Sequence, residues 1–210
     1  AGNSYEIKVW TSLPNGNPDT VNSNDTLTKT IKSGLNGTYT IGGASPDYAS
    51  FTAAVNDLKS KGVCDTVIFS VRSNTYIEQI RIGEIGGANA NAWVIFESET
   101  GDSSDVTLTF NSTNFSQNWT VQLDSASFIC FRKMTLKSDN TTYARVVDIQ
   151  GTASHVKFSN VHFIGSGGST STARTLVYYP TFNNYPEYHT FQNNRFENGS
   201  YALDYYSNDP

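Results

Sequence analysis

Short apolar runs alternate with polar turns along most of the chain, a pattern that predicts many short β-strands. The first 32 residues predict two strands, 5–10 and 26–31, joined by a turn-rich segment that contains Asn15-Gly16. From residue 63 onward, Gly, Asn, Ser and Asp clusters separate one candidate strand from the next. These candidates are 66–71, 80–85, 93–97, 106–110, 120–123, 128–136, 146–149, 155–163, 175–179 and 188–196.

One segment between these regions predicts a helix. Ser45 is the expected N-cap and Pro46 the expected first helical residue, while Gly62 closes the C-terminal end. The apolar positions inside follow the spacing i, i+3, i+4, i+7 of a single buried stripe. That stripe consists of Phe51, Ala54, Val55 and Leu58.

An internal repeat decides how the strands are arranged. Phe131, Phe158 and Phe191 occupy the same place in three aligned segments, at spacings of 27 and 33 residues. Antiparallel sandwiches also contain short strands, but a recurring inward Phe followed by a polar bend is what stacked coils require. Asn160 and Asn193 share the bend position, where an amide could bond to the next coil's backbone. The repeat predicts an all-β, right-handed parallel β-helix.

Composition narrows the classes of partner. Hydrophobic residues make up 37%, aromatic residues 13% and charged residues 16%, which suits a strand-rich fold better than a helical bundle. The net charge is −5 and the basic residues are scattered, which argues against nucleic acid. No apolar run is long enough for membrane insertion.

Cys64 and Cys130 could form a disulfide or remain separate thiols, and the sequence leaves both possibilities open.

A family likeness follows from the residues around the helix. Gly37-Thr-Tyr-Thr-Ile41, then the helix, then Val67-Ile-Phe-Ser-Val71 and Thr75-Tyr-Ile-Glu-Gln-Ile80 resemble the opening of pectin-methylesterase-like and pectate-lyase-like β-helices. Asn74 stands where that family usually has Gly. The resemblance implies that the helix caps the N-terminal end of the solenoid.

A second likeness concerns the start of the chain. Val9-Trp-Thr11 and Pro14-Asn-Gly16 look like the last strands of Ig-like domains that precede β-helices in large secreted surface proteins of the Bacteroidota. We therefore expect three regions: a hairpin stub of an Ig-like domain or linker (1–32), a strand with the capping helix (33–62), and a β-helix (63–210) truncated at its C-terminal end. The likeness implies a secreted or cell-surface location.

Catalytic motifs of the family are missing. Its esterases use paired Asp residues with a Gln-containing motif and an Arg, and its lyases hold calcium with clustered carboxylates. If the chain is an enzyme, Asp148, Arg174 and Asp204 are the candidates, with calcium as a conceivable cofactor and no other metal. Arg145 lies near Asp148 in sequence, but strand alternation predicts opposite faces. The alternative is that all these residues are ordinary solvated charges.

Tyrosines near the C-terminal end suggest a binding function. Tyr179, Tyr185, Tyr188 and Tyr205 could stack on sugar rings of a polysaccharide or a cell-surface glycan, or else fill the core. The sequence thus favours a non-catalytic, structural or adhesive β-helix segment with glycan binding. The alternative is a carbohydrate-active enzyme, lyase-like or pectin-esterase-like, with atypical or downstream catalytic residues. An open sheet edge also predicts end-to-end self-association.

Overall fold

The computed structural model of the chain describes residues 4–13, 16, 23, 26–180 and 188–205. An antiparallel hairpin comes first, formed by β1 (Ser4–Trp10) and β2 (Thr26–Lys32). Tyr5, Ile7 and Val9 alternate along one face of β1, and each remains about half exposed or more. The hairpin is present as predicted, and its Ig-like origin stays a prediction.

The rest of the described chain is a parallel β-solenoid of about six turns, as the repeat predicts. Three parallel sheets run along it. The first contains β3 (Leu35–Ile41), β4 (Val63–Val71), β7 (Val94–Ser98), β10 (Ile129–Arg132), β13 (Val156–Ser159) and β16 (Thr190–Gln192). The second contains β5 (Asn74–Ile77), β8 (Val106–Phe110), β11 (Thr135–Ser138), β14 (His162–Ile164) and β17 (Arg195–Glu197). The third contains β6 (Ile80–Ile82), β9 (Val121–Asp124), β12 (Val147–Gln150), β15 (Val177–Tyr179) and β18 (Leu203–Tyr205).

Stacked rings occupy the core beneath the first sheet. Phe131 pairs in register with Phe158, and Phe158 with Phe191, so the repeat aligns these residues correctly. Phe69 and Phe96 extend the same stack toward the N-terminal end, with ring centres 4.8 Å apart. Residues equivalent by the repeat therefore bury the same ring in the same place, which is how a solenoid builds its core.

The bends between the first and second sheets explain the polar step in the repeat. Lys133, Asn160 and Asn193 all adopt the left-handed conformation, with φ of 54°, 55° and 53°. The bridging amide, however, belongs to Asn194: its Oδ1 accepts from the backbone N–H of Val161 at 2.9 Å, and its Nδ2 donates to a backbone carbonyl of the same neighbouring coil at 3.1 Å. This corrects the expectation for Asn160 and Asn193.

The helix α1 (Phe51–Lys61) packs its predicted apolar stripe into the core. It begins later than expected, because Ser50 is the N-cap and the Ser45-Pro46 start was wrong. The intervening segment folds back onto β3, where the Asp47 carboxylate accepts hydrogen bonds from the backbone N–H and hydroxyl of Thr40 at 2.7 and 2.8 Å. Gly62 ends the helix as predicted, with φ of 67° and its N–H donated to a helix carbonyl.

Candidate functional site

The outward face of the third sheet carries a line of polar side chains across five successive rungs. Val147 and Ile149, the residues on either side of Asp148, point inward and are buried, so alternation directs Asp148 outward. Parallel pairing places one polar residue above the next in each neighbouring strand. We call this set the polar column: Arg81, Gln122, Asp148, Tyr178 and Asp204.

Asp148 is the most enclosed member of the polar column, with 1% of its surface exposed. Gln150 donates its Nε2–H to Oδ2 at 3.0 Å, and the Gln122 amide also bonds to this carboxyl. Its other oxygen, Oδ1, is buried without a hydrogen-bond partner among the described residues. Asp148 is thus no ordinary solvated charge, because a buried acceptor without a partner is costly and uncommon in folded proteins.

Arg145 closes over Asp148, contrary to the prediction that they face opposite ways. Arg145 precedes β12, where strand alternation does not apply, and its Nη1 reaches within 3.9 Å of Asp148 Oδ2. The guanidinium carbon lies 3.4 Å from the centre of the Tyr178 ring, and Nε donates to the Thr172 carbonyl at 3.0 Å. The buried amide of Asn118 accepts from the Arg145 backbone N–H at 3.2 Å. Arg145 is therefore fixed on several sides.

Burial raises the pKa of the Asp148 carboxyl from 3.8 to about 6, an effect that the Arg145 charge and the hydrogen bonds from Gln122 and Gln150 only partly oppose. Asp124, on the adjacent outward position of β9, adds a smaller like-charge effect in the same direction and forms an ion pair with Arg81. A carboxyl group whose pKa lies this close to neutrality is a recognised sign of a functional site.

The other two residues named for an enzyme lie in different settings. Asp204 belongs to the polar column, two rungs from Asp148, and its Oδ2 is also buried without a partner among the described residues. Arg174 does not join the polar column: it donates Nη2–H to the Ser166 hydroxyl at 2.8 Å and to the Gly167 carbonyl at 2.6 Å. Arg174 therefore holds a neighbouring loop.

The described residues contain no cluster of carboxylates that could hold calcium. Across residues 4–13, 26–180 and 188–205, no three His, Cys, Asp or Glu side chains come close enough together to hold a metal ion. Asp148 and Asp204 are separated by Tyr178 in the strand register. Calcium takes six to eight oxygen ligands, so the described carboxylates do not fit it.

The predicted sugar-binding tyrosines do not form one row. Tyr179 is 2% exposed and stacks in the core against Tyr205 at 4.9 Å, which corrects the expectation that its ring is open to a ligand. Tyr205 is 43% exposed. Tyr188 is 65% exposed, and its ring centre lies 4.9 Å from that of His155 in a tilted arrangement, at the start of a first-sheet strand. Tyr185 lies outside the described residues.

Sequence reasoning missed Gln122, Asp124 and Gln150 as members of this surface. The sequence did contain a pattern that could have identified them. β9 has the sequence Val-Gln-Leu-Asp and β12 has Val-Asp-Ile-Gln, so apolar and polar residues alternate in both strands and Gln and Asp have exchanged places. Loops of unequal length between the rungs concealed the match.

The helix α1 has 11 residues, and the described part of the chain holds no helix suited to crossing a bilayer.

No protein-family model matches the sequence, and no curated protein matches it either. Among solved structures, the chain is similar to a crystal structure of a pectin methylesterase from Aspergillus niger in a penultimately deglycosylated form. The two are 14% identical over 79% of this chain and 68% of that chain, with a TM-score of 0.38. A likeness of this size carries no conclusion about activity, and the strand register itself establishes the parallel β-helix.

Proposed function

We propose that the chain is a non-catalytic, glycan-binding β-helix segment of a secreted or cell-surface protein, with a structural or adhesive role, and that the polar column contacts the glycan. One observation carries the proposal: polar side chains occupy five consecutive rungs of a single sheet. Rungs of a parallel sheet repeat every ~4.8 Å. A polysaccharide is also a regular repeat, so a chain along the solenoid axis would pass over the accessible members of the polar column, Arg81, Tyr178 and Asp204.

The exposure of the column favours binding over catalysis. The Arg81 side chain is 60% exposed and the Tyr178 ring is half-buried, so both are accessible to a ligand. Asp148 is closed off beneath Arg145, and its carboxyl cannot reach a substrate in this arrangement. An adhesive surface needs only the accessible groups.

A glycan array tests this proposal. The chain is applied alongside Arg81→Gln and Tyr178→Ala, with Lys157→Gln on the outward face of the first sheet as a matched control. We expect Arg81→Gln and Tyr178→Ala to weaken binding of the same glycan at least several-fold, while Lys157→Gln leaves it unchanged. Absence of any glycan ligand, or equal loss in the control, would contradict the proposal.

A second candidate is a carbohydrate-active enzyme of the lyase or pectin-esterase type. The Asp148 pKa near 6 and its unpartnered oxygen favour this function. Asp204 lies two rungs away, which places the two strands on the order of 9.6 Å apart.

Product release separates the two functions. Pectin-type and neutral polysaccharides are incubated with the chain, and reducing ends, unsaturated uronate and methanol are measured. Release that disappears in both Asp148→Asn and Asp204→Asn would assign catalysis to the polar column. Binding without release supports the non-catalytic function.

A further inference from the structure

The outward face of the second sheet contains a groove of about 490 Å³ that is separate from the polar column. It crosses four rungs, from β5 to β14. Thr75, Thr107 and Thr135 follow one another in register along its floor. Four rungs span about 14 Å at ~4.8 Å per step, so the groove is long enough for an extended ligand.

The threonine hydroxyls on the groove floor are of two kinds: some donate hydrogen bonds within the protein and others do not. Thr135 is buried and donates its hydroxyl to the Ser103 carbonyl at 2.8 Å, and Thr109 donates to the Asp139 carboxylate at 2.7 Å. The hydroxyls of Thr75 and Thr107 make no hydrogen bond within the described part of the chain. Each can donate one hydrogen bond and accept two, which leaves two adjacent rungs able to bind a ligand's hydroxyl groups.

Charges around the groove are already paired. Lys137 Nζ lies 2.6 Å from Asp139 Oδ1, and His162 Nε2 lies 2.7 Å from Glu197 Oε2. Arg195 forms an ion pair with the same glutamate. The hydrogen bond from His162 and the Arg195 charge lower the Glu197 pKa. Each of these carboxylates therefore has a cationic partner, and the groove offers no unpaired charge to a charged polymer.

Apolar groups complete the lining. Ile77 is 76% exposed beside Thr75, and Ile164 lies half-buried at the opposite end of the groove. Methyl groups next to free hydroxyls match the chemistry of a sugar ring, which presents C–H bonds on its faces and hydroxyls on its edges. A ligand lacking hydroxyls would leave the Thr75 and Thr107 hydroxyls without partners when it excluded water.

We infer that this groove binds a neutral, extended glycan, with the hydroxyls of Thr75 and Thr107 as its principal hydrogen-bonding groups. The site lies on a different face from the polar column, so it goes beyond the proposed function and does not depend on it. A neutral chain fits because the groove's charges are internally balanced. An acidic chain would have to compete with the Asp139 and Glu197 carboxylates for Lys137 and Arg195.

Isothermal titration of the chain with cellohexaose, xylohexaose, mannohexaose and oligogalacturonate tests this inference. The variants are Thr75→Val and Thr107→Val, which remove each hydroxyl at nearly constant volume. Thr190→Val, on an exposed outward position of the first sheet, is the matched control, and circular dichroism verifies folding. Loss of one hydrogen bond corresponds to about two- to ten-fold weaker binding.

We expect at least one neutral hexasaccharide to bind, each groove variant to weaken it two- to ten-fold, and Thr190→Val to have no effect. Lys157→Gln, at the position that pairs with Thr190 on the first sheet, should also leave this binding unchanged. Binding of oligogalacturonate alone, binding of no neutral hexasaccharide, or unchanged affinity in both groove variants would overturn the inference.

Discussion

The guanidinium of Arg145 lies over the ring of Tyr178, with its central carbon 3.4 Å from the ring centre. This stack holds the cation above Asp148, one rung away, and leaves the carboxyl 1% exposed. Cation–π contact and the bond to the Thr172 carbonyl both oppose movement of Arg145 toward solvent. The enclosed carboxyl is therefore a consequence of the packing of a neighbouring coil.

Asp148 should make stability depend on pH. Because burial raises its pKa from 3.8 to about 6, the folded chain binds a proton more tightly than the unfolded chain. This contribution is fully present below pH 3.8 and is lost as pH rises through 6. Asp148→Asn removes it, so wild type should lose on the order of 2 kcal/mol relative to the variant between pH 4 and pH 7. Urea unfolding at several pH values measures the difference.

Asp102→Asn is a control, because the Asp102 carboxyl should change stability with pH in the opposite direction to Asp148. Hydrogen bonds from the backbone N–H and hydroxyl of Ser104 lower the Asp102 pKa, so its contribution is present at neutral pH and is lost as pH falls below the ordinary aspartate value of 3.8. Wild type and Asp148→Asn with parallel pH profiles would show that the Asp148 carboxyl is not enclosed as described.

Phe131→Ala should destabilise the solenoid by about 3–5 kcal/mol, the usual cost of a large cavity. Phe131 is fully buried between Phe96 at 5.1 Å and Phe158 at 5.9 Å. Phe115→Ala is the matched control, because that ring is 65% exposed. Since each coil contacts only its neighbours, hydrogen exchange should increase most in β7, β10 and β13. Equal effects of the two variants would place Phe131 outside the core.

Glu78→Gln should weaken the attachment of α1 by about 1–2 kcal/mol. The Glu78 carboxylate accepts from the backbone N–H groups of Phe51 and Thr52 at 3.1 and 2.8 Å, so a charge caps the positive end of the helix. The amide keeps one acceptor oxygen and loses the charge. Glu84→Gln, at an exposed position, should have little effect. Thermal unfolding followed at 222 nm compares the two, and identical midpoints would contradict a capping role.

The cysteines are separate thiols in the structure. Cys64 is exposed, whereas Cys130 is buried and its pKa is raised by burial to about 11. A thiol-specific reagent at pH 8 should therefore modify one cysteine rapidly in the folded chain and both after unfolding in urea. Cys64→Ser should abolish the fast phase. A native chain without reactive thiol would instead indicate a disulfide.

The sequence predicted the architecture because the inward Phe residues recur where identical packing recurs. It misplaced the start of α1 because Ser45, Pro46 and Asp47 are good helix-start residues locally, while Asp47 bonds across seven residues to Thr40. Contacts of this kind depend on how the loop folds back, which local preference does not contain.

The site was harder to predict for a related reason. Asp148 and Asp204 were identified as charges, but the sequence did not indicate which side chains cover them. The sequence predicted Arg145 on the face opposite Asp148, by an alternation rule that applies only inside a strand, whereas Arg145 lies before β12. Of two neighbouring asparagines, Asn194 rather than Asn193 bridges the coils, a choice that depends on side-chain direction at a left-handed bend.

The ring stack of Phe96, Phe131, Phe158 and Phe191 has an evolutionary consequence. Because each ring meets an identical neighbour, the 27 residues from Phe131 to Lys157 form an interchangeable module. Duplication or loss of such a module in a gene would again place one Phe ring against another, so the packing between neighbouring coils would be preserved on both sides of the change. The length of this rod can therefore change in whole-turn steps during evolution, while loop lengths vary independently on its surface.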